Sequence, residues 1–192
     1  MKIDLMKLKL KNMLNEERWE HSVNTSQIAY DLAMKYGADP DKAKIAGLLH
    51  DCAKCMTFEK LKVMAATNKI QIDININKIP KVLHSFVGAL IAEQEFNVQD
   101  SDILQAIRLH STGGAKMSIL DKIVYLSDKI EPLRYFNGIT QVRQMAQKNL
   151  DKAVLMILDE GLLSLIKRGL LIYPATVEAR NDILSKVALI DA

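Results

Sequence analysis

Six residues whose side chains bind metals well stand in apolar stretches of this sequence. They are the four histidines of the chain and two aspartates, namely His21, His50, His84, His110, Asp51 and Asp128. Burying several imidazoles and carboxylates in an aliphatic interior costs free energy unless something pairs them. A divalent cation does so, because it binds neutral imidazole and ionised carboxylate together. The residue types and their surroundings therefore predict a metal site.

The adjacent pair His50–Asp51 narrows the kind of site. Neighbouring side chains on a helix point about 100° apart, which suits a cation lying between two faces, or an aspartate that bridges two cations, better than an ion pair. Mixed nitrogen and oxygen ligands also differ from structural zinc sites, which usually contain cysteine and leave no open position. The pair favours a catalytic ion such as iron or manganese, with a coordinated water.

Cys52 and Cys55 form a C-x-x-C pair directly after this aspartate. A thioredoxin-like redox site needs a strand-to-helix setting, whereas this pair is predicted to lie at a helix end. A structural zinc site would need a second ligand pair. The cysteines are therefore left out of the predicted site.

The composition predicts that helices position these residues. Hydrophobic residues make up 49% of the chain and aromatic residues only 5%, so the core must consist of Leu, Ile, Ala and Met, which favour helices. The residues predicted to start or stop helices are Gly37 at a C-terminus, Asp39–Pro40, Thr57, Pro80, and Ser118 with Asp121 at capping-box spacing.

Apolar residues recur at helical spacing along nearly the whole chain. The predicted helices are 17–36, 40–54, 58–66, 80–96, 101–110, 122–130, 139–149, 150–168 and 174–189, with Gly161 weakening the prediction of one straight helix over 150–168. The segment IQIDININ, residues 70–77, alternates like a strand but has no second strand to pair with. We predict an extended connection there, and one all-α domain over 1–192.

The charge balance excludes some classes of function. The formal charge is +3 and the pI about 8.7, with basic and acidic residues interspersed, which is too mild to indicate nucleic-acid binding. The start, MKIDLMKLKLK, is too charged for a signal peptide, and no apolar run approaches a membrane span. Two cysteines make no disulfide framework. We expect a cytoplasmic, soluble protein.

The order H…HD…D, carried by His21, His50–Asp51 and Asp128, resembles the signature of the HD-domain metal-dependent phosphohydrolase superfamily. His84 and His110 fall where many members place two further histidines. The stretches AGLLHDCAK, RLHSTG, LDKIVYLSDKIEPLR and YPATVEARN are similar to those of the bacterial YqeK family, the symmetrical bis(5′-nucleosyl)-tetraphosphatases. The similarity runs from about Glu17 to the C-terminal helix.

This resemblance implies a helical HD-domain bundle with a core over about 17–135 and C-terminal helices packed on it. It implies an iron-dependent enzyme that cleaves diadenosine tetraphosphate into two ADP, with manganese, cobalt or zinc as alternative ions. Carried over by position, the metal ligands would be His21, His50, Asp51 and Asp128. His84 and His110 would bind a second ion bridged by Asp51, or contact the phosphates, and this choice stays open.

Lys54 is predicted to act in catalysis together with Asp51. On a continuous helix it would share a face with His50 and Asp51, where its charge could stabilise a transferred phosphoryl group. The alternative is a surface ion pair with Asp51, which would contribute only tenths of a kcal/mol. The hypothesis for the reaction is attack of a metal-activated water on phosphorus, with ADP leaving.

Further substrate contacts are predicted around these ligands. The candidates are Ser22, Ser111, Thr112, Arg134, Tyr173 and Arg180. The hydroxyls and free amides of HSTGG suit phosphate or ribose, although Thr-Gly-Gly is also a common turn. Arg134 could bind phosphate bidentately or lie on the surface at a helix end, and Arg180 could instead fasten the last helix.

Three other functions compete with this hypothesis. One is HD-type hydrolysis of another nucleotide, such as a nucleoside triphosphate, a cyclic nucleotide or an alarmone. Another is a non-catalytic sensor of metal and nucleotide. The third, a helical DNA-binding module, is disfavoured by the weak net charge. The sequence is compatible with a homodimer and does not determine the number of ions.

Overall fold

The computed structural model describes residues 2–70 and 78–190, with side chains up to Val187. Within those residues the chain forms ten α-helices, one 3-10 turn at Pro80–Val82 and no β-strand. The helices are α1 (Ile3–Lys11), α2 (Glu16–Tyr36), α3 (Pro40–Leu49), α4 (Phe58–Thr67), α5 (Leu83–Phe96), α6 (Ser101–Leu109), α7 (Ile119–Ile130), α8 (Ile139–Ala146), α9 (Leu150–Lys167) and α10 (Pro174–Ile190). The predicted all-α fold class is confirmed.

The predicted caps form at the helix ends except at Pro80, which begins a 3-10 turn, so that the following α-helix starts three residues later, at Leu83. Gly37 ends α2 in the left-handed region at φ 71°, which glycine adopts without strain. At the start of α7 the N–H of Ser118 donates to the Asp121 carboxylate at 2.8 Å, and the N–H of Asp121 donates to Ser118 Oγ at 3.1 Å. This capping box fixes the start of the helix that carries Asp128.

Helix α3 is shorter than predicted, since it ends at Leu49 rather than at residue 54. The following residues form tight turns, in which the N–H of Cys52 bonds the carbonyl of Leu49 and the N–H of Lys54 bonds that of Asp51. The prediction that His50, Asp51 and Lys54 share one helix was therefore wrong. No glycine or proline marks this helix end, so local sequence patterns did not reveal it.

Helix α1 was not predicted. Its basic residues obscured the apolar pair Met6 and Leu10, which are four positions apart and buried in the core. Lys9 attaches the helix further, because its Nζ donates to the carbonyl oxygen of Glu95 at 2.8 Å. In contrast, Gly161 does not interrupt α9, which is one continuous helix.

The helices that carry the histidines and aspartates pack against one another. Helix α2 packs on α3 and α7, and α6 packs on α3, α5 and α7. Gly47 permits the closest approach of α2 and α3, since a Cβ there would lie 3.0 Å from Ser26 Cα and from the carbonyl oxygen of Thr25. Nearly all of the buried apolar side chains belong to one cluster, whose members range along the sequence from Met6 to Val187.

Most of the predicted extended connection, residues 71–77, lies outside the described residues. None of the helices in the described ranges combines the length and hydropathy that a membrane span requires.

Candidate metal centre

Three of the four histidines use Nδ1 in the same way. In each, Nδ1 lies 2.7 Å from the carbonyl oxygen of the residue three positions earlier. The pairs are His50 with Gly47, His84 with Lys81, and His110 with Ile107. Because a carbonyl oxygen can only accept, Nδ1 carries the proton and Nε2 keeps a lone pair. The backbone thus sets the tautomer that binds a metal through Nε2.

His21 also places a proton on Nδ1 and a lone pair on Nε2, but its partner is a carboxylate and not a backbone carbonyl. It lies within α2, and its Nδ1 is 3.1 Å from Oε1 of the buried Glu131. The other oxygen of that carboxylate accepts the N–H of Leu133 at 2.8 Å. A carboxylate that accepts from Nδ1 orients the ring and increases the basicity of Nε2, as in metal sites generally.

A first group of ligand atoms lies where α2, α3 and α7 meet. Nε2 of His21 is 3.0 Å from Nε2 of His50 and 3.0 Å from Oδ1 of Asp128. Oδ2 of Asp51 is 3.6 Å from His50 Nε2 and 3.8 Å from His21 Nε2. Ligand atoms about 2.1 Å from one ion lie from about 3.0 Å to about 4.2 Å from one another, depending on the geometry. These four residues could therefore share one ion.

A second group lies on the other side of Asp51. Its Oδ1 is 3.1 Å from Nε2 of His84 and 3.4 Å from Nε2 of His110, and these two nitrogens are 3.1 Å apart. The two oxygens of one carboxylate therefore face two different pairs of imidazoles. A carboxylate placed in this way could bridge two cations.

The donor set fits a divalent metal ion. Among the described residues, the buried Oδ1 of Asp51 has no hydrogen-bond partner, because the nearby Nε2 atoms of His84 and His110 carry no proton. A buried carboxylate oxygen without a partner costs free energy, and Nε2 lone pairs facing one another repel. A cation between these atoms relieves both costs.

The protonation states also suit a metal. Burial lowers the pKa of His50 to about 3 and that of His84 to about 4. Burial would raise the pKa of Asp51 and of Asp128, but the imidazoles of His50, His84 and His110 hold the pKa of Asp51, and the charge of Lys129 holds that of Asp128, well below the usual range. At neutral pH His50 and His84 are therefore neutral imidazoles, and the two aspartates are ionised carboxylates, which are the forms that bind divalent cations.

Two cationic side chains reach Asp51 from the surface. Nη1 of Arg18 lies 3.3 Å from Oδ2, and Nζ of Lys54 lies 3.5 Å from Oδ1 and 3.0 Å from Nε2 of His84. Both side chains are partly exposed, and burial lowers the pKa of Lys54. Lys54 reaches this position from the turn after α3 rather than from the predicted helix.

Two further cations contact Asp128. Nη2 of Arg134 is 2.5 Å from Oδ1, and Nζ of Lys129 is 2.6 Å from Oδ2. The Nε of Arg134 also donates to the backbone carbonyl of Asp128 at 2.8 Å. Positive charge thus lies at the exposed edge of a buried group of carboxylates, where it can attract an anionic phosphate chain.

The two hydroxyls of the HSTGG turn differ in their positions. Oγ of Ser111 lies 3.2 Å from Nε2 of His84 and 3.1 Å from Nε2 of His110, so it belongs to the second group. Thr112 is buried, and its hydroxyl donates to the carbonyl of Gly113 at 2.9 Å. The first therefore reaches the site, whereas the second stabilises the turn.

The remaining candidates have other surroundings. Ser22 is buried in α2, and its hydroxyl has no hydrogen-bond partner among the described residues. Tyr173 is half-buried and packs on the core just before α10. Nε of Arg180 donates to Asp159 of α9 at 2.8 Å, the contact expected of a residue that fastens the last helix.

The cysteines do not take part in the cluster. Cys52 is buried, its Sγ donates to the carbonyl of Gly88 at 3.3 Å, and burial raises the pKa of its thiol. Cys55 is exposed, and neither cysteine is in a disulfide. A buried thiol with a raised pKa is poorly reactive.

The sequence analysis missed Arg18, Lys129 and Glu131. A signal for two of them was available, because Arg18 lies three residues before His21 and Glu131 three residues after Asp128. Residues three apart in a helix share a face. Lys129 directly follows Asp128 and had no such signal.

The chain is similar to several known proteins. The family model described as HD domain matches residues 18–133. The symmetrical bis(5′-nucleosyl)-tetraphosphatase of Bacillus subtilis is 36% identical, over 92% of this chain and 94% of the relative. Proteins with the same description from Halalkalibacterium halodurans and Staphylococcus aureus are 37% and 32% identical, and the alignments cover 91% and 94% of this chain and 93% and 94% of the relatives.

A solved structure shares the fold. It is a crystal structure described as that of a predicted HD superfamily hydrolase involved in NAD metabolism from Clostridium acetobutylicum. Its TM-score is 0.94 at 36% identity, with 97% of this chain and 98% of that one covered. The resemblance seen in the sequence is thereby confirmed. The chain belongs to the HD domain family and, within it, to the family of the symmetrical bis(5′-nucleosyl)-tetraphosphatases.

Proposed function

We propose that this protein is a metal-dependent phosphohydrolase that cleaves diadenosine tetraphosphate symmetrically into two ADP. One observation carries the proposal. The oxygens of Asp51 face two separate pairs of imidazole Nε2 atoms, in a chain whose relatives are named for this reaction.

The proposed ions lie on the two sides of Asp51. His21, His50, Asp51 and Asp128 would hold the first, and His84, His110 and Asp51 would hold the second. Imidazole and carboxylate ligands together suit iron, and also manganese, cobalt and zinc. We favour iron, because the family resemblance implies it. If no second ion binds, His84 and His110 are free to contact the phosphates.

The reaction breaks one phosphoanhydride bond. Water forms a new P–O bond at one of the two central phosphorus atoms, the P–O–P bond between them breaks, and a proton passes to solvent. The bound ion would supply a Lewis acid that lowers the pKa of water and polarises a phosphoryl oxygen. Little other covalent chemistry is required of the chain, so its residues act by positioning and by electrostatics.

The cations at the edge of the site would bind the phosphate chain. Arg18 and Lys54 reach Asp51, and Arg134 reaches Asp128, so each can approach a phosphate held at the metal centre. The guanidinium groups suit bidentate contacts with phosphate oxygens. Lys54 would act as a point charge that stabilises the transferred phosphoryl group, and Ser111 would donate its hydroxyl hydrogen.

Four further contacts stay predictions. Ser22, Thr112, Tyr173 and Arg180 would bind the substrate directly or support the residues that do. For Thr112 and Arg180 the hydrogen bonds with Gly113 and Asp159 favour support.

Product analysis tests the proposal. The purified protein, reconstituted with iron under anaerobic conditions, is incubated with diadenosine tetraphosphate, and the nucleotides are separated by chromatography. We expect ADP as the only nucleotide product, whereas asymmetric cleavage would yield AMP and ATP. The Asp51→Ala protein should keep its helical circular dichroism but lose both metal and turnover.

A matched control replaces an exposed carboxylate. Asp102 pairs with Lys42 at the surface, and Asp102→Ala should leave turnover unchanged. An Asp51→Ala protein with normal turnover would refute the assignment of the site. Metal binding without hydrolysis would favour the non-catalytic sensor of metal and nucleotide. Faster turnover of another nucleotide would show that this nucleotide, and not diadenosine tetraphosphate, is the substrate.

A further inference from the structure

Arg143 makes an unusual set of backbone contacts. It lies in α8 and is half-buried. Its Nε donates to the carbonyl oxygen of Ile130 at 2.8 Å, and its Nη2 donates to those of Glu131 and Arg134 at 2.7 and 3.1 Å. One guanidinium therefore binds three carbonyl oxygens of a single short segment.

This segment needs such a partner. Ile130 is the last residue of α7, and Glu131 leaves the helix with ψ 159°. The last carbonyls of a helix have no partner within it, and a cation near a helix C-terminus is favourable. Arg143 thus satisfies the end of α7 and holds the following turn in one conformation.

The side chains of that turn support two of the proposed metal ligands. Glu131 accepts from Nδ1 of His21 at 3.1 Å. Arg134 contacts the carboxylate and the carbonyl oxygen of Asp128. Arg143 binds the backbone carbonyl oxygens of these same two residues, Glu131 and Arg134.

We propose that Arg143 is a positioning residue for the metal centre, which acts through Glu131 and Arg134 on His21 and Asp128. This inference rests on the proposed function, because it requires those two residues to be metal ligands. The planar guanidinium offers donors in a fixed fork. A lysine at the same position would keep the charge but lose the geometry.

The surroundings of Arg143 provide a direct way to test this role. Arg143 lines an open cavity of about 560 Å³, together with Ile130, Pro132 and residues of α2. Truncation of its side chain would leave a space that opens to this cavity. A free guanidinium ion is small enough to enter and bind the same carbonyl oxygens.

The experiment compares R143A and R143K with the wild type and with R108A. Arg108 is an exposed arginine of α6, so R108A controls for the loss of one positive charge. Metal affinity is measured by competition with a chromophoric chelator, and turnover of diadenosine tetraphosphate gives kcat and KM. Each measurement is repeated with millimolar guanidinium chloride.

We expect R143A to bind metal about tenfold more weakly, the lower end of the range for outer partners of metal ligands, with kcat reduced at saturating substrate and KM little changed. R143K should fall between R143A and the wild type, and R108A should match the wild type. Guanidinium should restore metal affinity to R143A but not to Asp51→Ala. If R143A does not fold, R143K decides the question.

Two results would overturn the inference alone. Both assume a wild type that binds metal and hydrolyses diadenosine tetraphosphate. One is a metal affinity in R143A equal to that of the wild type, or the same result in R143K where R143A does not fold. The other is a folded, weakened R143A on which guanidinium has no effect. A wild-type protein that binds no divalent metal would instead refute the proposed function, and this inference with it.

Discussion

Gly47 and His50 are joined by a hydrogen bond of 2.7 Å, in which Nδ1 of the histidine donates to the carbonyl oxygen of the glycine. The same glycine lies where the backbones of α2 and α3 come close, and these are the helices that bring His21 and His50 together. Gly47 therefore links the tautomer of one proposed ligand to its distance from another.

Gly47→Ala should destabilise the protein and weaken metal binding. The added Cβ would lie 3.0 Å from Ser26 Cα and from the Thr25 carbonyl oxygen, and backbone atoms cannot move aside separately. Overpacking of this kind costs about 1–3 kcal/mol, and separation of the helices would move His21 away from His50. Urea unfolding and metal titration measure the two effects.

Gly88→Ala is the matched control for this prediction. A Cβ at this helical glycine would make ordinary contacts of 3.5–3.7 Å with His50, Ile107 and Cys52. Replacing glycine by alanine within a helix favours folding by up to about 1 kcal/mol. Equal stability of the Gly47→Ala and Gly88→Ala proteins would show that the contact between α2 and α3 can accommodate a Cβ at Gly47, which would contradict the prediction.

Glu131→Gln should lower metal affinity about 10–100-fold, as for other partners of metal-ligating histidines. The amide oxygen can still accept from Nδ1 of His21, but the negative charge that increases the basicity of Nε2 is lost. Competition with a chelator measures the affinity. Replacement of the exposed Glu59, which pairs with Lys62, should have no effect, and a Glu131→Gln protein with full affinity would contradict this role.

The number of bound ions should depend on His110. If Asp51 bridges two ions, the wild type binds two per chain and His110→Gln binds one, because Gln lacks the imidazole Nε2 that lies 3.4 Å from Asp51 Oδ1. Elemental analysis after gel filtration gives the ratio of metal to protein. One ion in both proteins would indicate that His84 and His110 contact phosphate instead.

Arg18→Ala should lower kcat/KM for diadenosine tetraphosphate about 10–150-fold, since a hydrogen bond to a charged group is worth about 1.5–3 kcal/mol. Metal affinity should stay nearly unchanged, because Arg18 is not a ligand. Steady-state kinetics and a metal titration separate the two. Lys44→Ala, at a surface position over Tyr30, is the control. A loss of metal rather than of kcat/KM would assign Arg18 to the ion site.

Acid should destabilise the metal-free protein. Burial lowers the pKa of His50 to about 3 and of His84 to about 4, whereas an unfolded histidine titrates near pH 6.5. Below about pH 6.5 the unfolded chain therefore binds protons that the folded chain does not, and stability falls by up to about 1.4 kcal/mol per pH unit for each histidine. The stability that the two neutral histidines contribute is fully present above about pH 6.5. It is lost progressively as the pH falls from there to the folded pKa values of about 4 and about 3.

Urea unfolding of the metal-free protein, at pH values from just above to well below about 6.5, measures how steeply the free energy of unfolding depends on pH. The His50→Gln protein should show a shallower slope, because one of the two proton-binding groups is gone. An equal slope in both proteins would show that His50 does not resist protonation in the folded state.

Much of this protein could be predicted from local sequence. Gly37, Pro40 and the Ser118–Asp121 box mark helix ends through backbone geometry and capping, which depend on neighbouring residues alone. Apolar spacing located every helix except α1 in the same way. The metal-binding residue types were also visible, because imidazoles and carboxylates in apolar runs are costly without a partner.

Other features were decided by tertiary structure. The end of α3 at Leu49 has no local signal, and the turns after it, not a helix, bring Lys54 to His84. Helix α1 is stabilised by burial of Met6 and Leu10 against distant segments, a contribution that packing makes and helix propensity does not.

The sequence by itself determined that the chain is helical and which residues can bind a metal, because helix periodicity and ligand chemistry are properties of residues and their neighbours. Only the tertiary structure decided that Asp51 turns one oxygen to His50 and the other to His84. Only it placed Glu131 on His21. The contacts of Asp51 with His84 and of Glu131 with His21 join residues far apart in the chain, and their distances follow from how the helices pack.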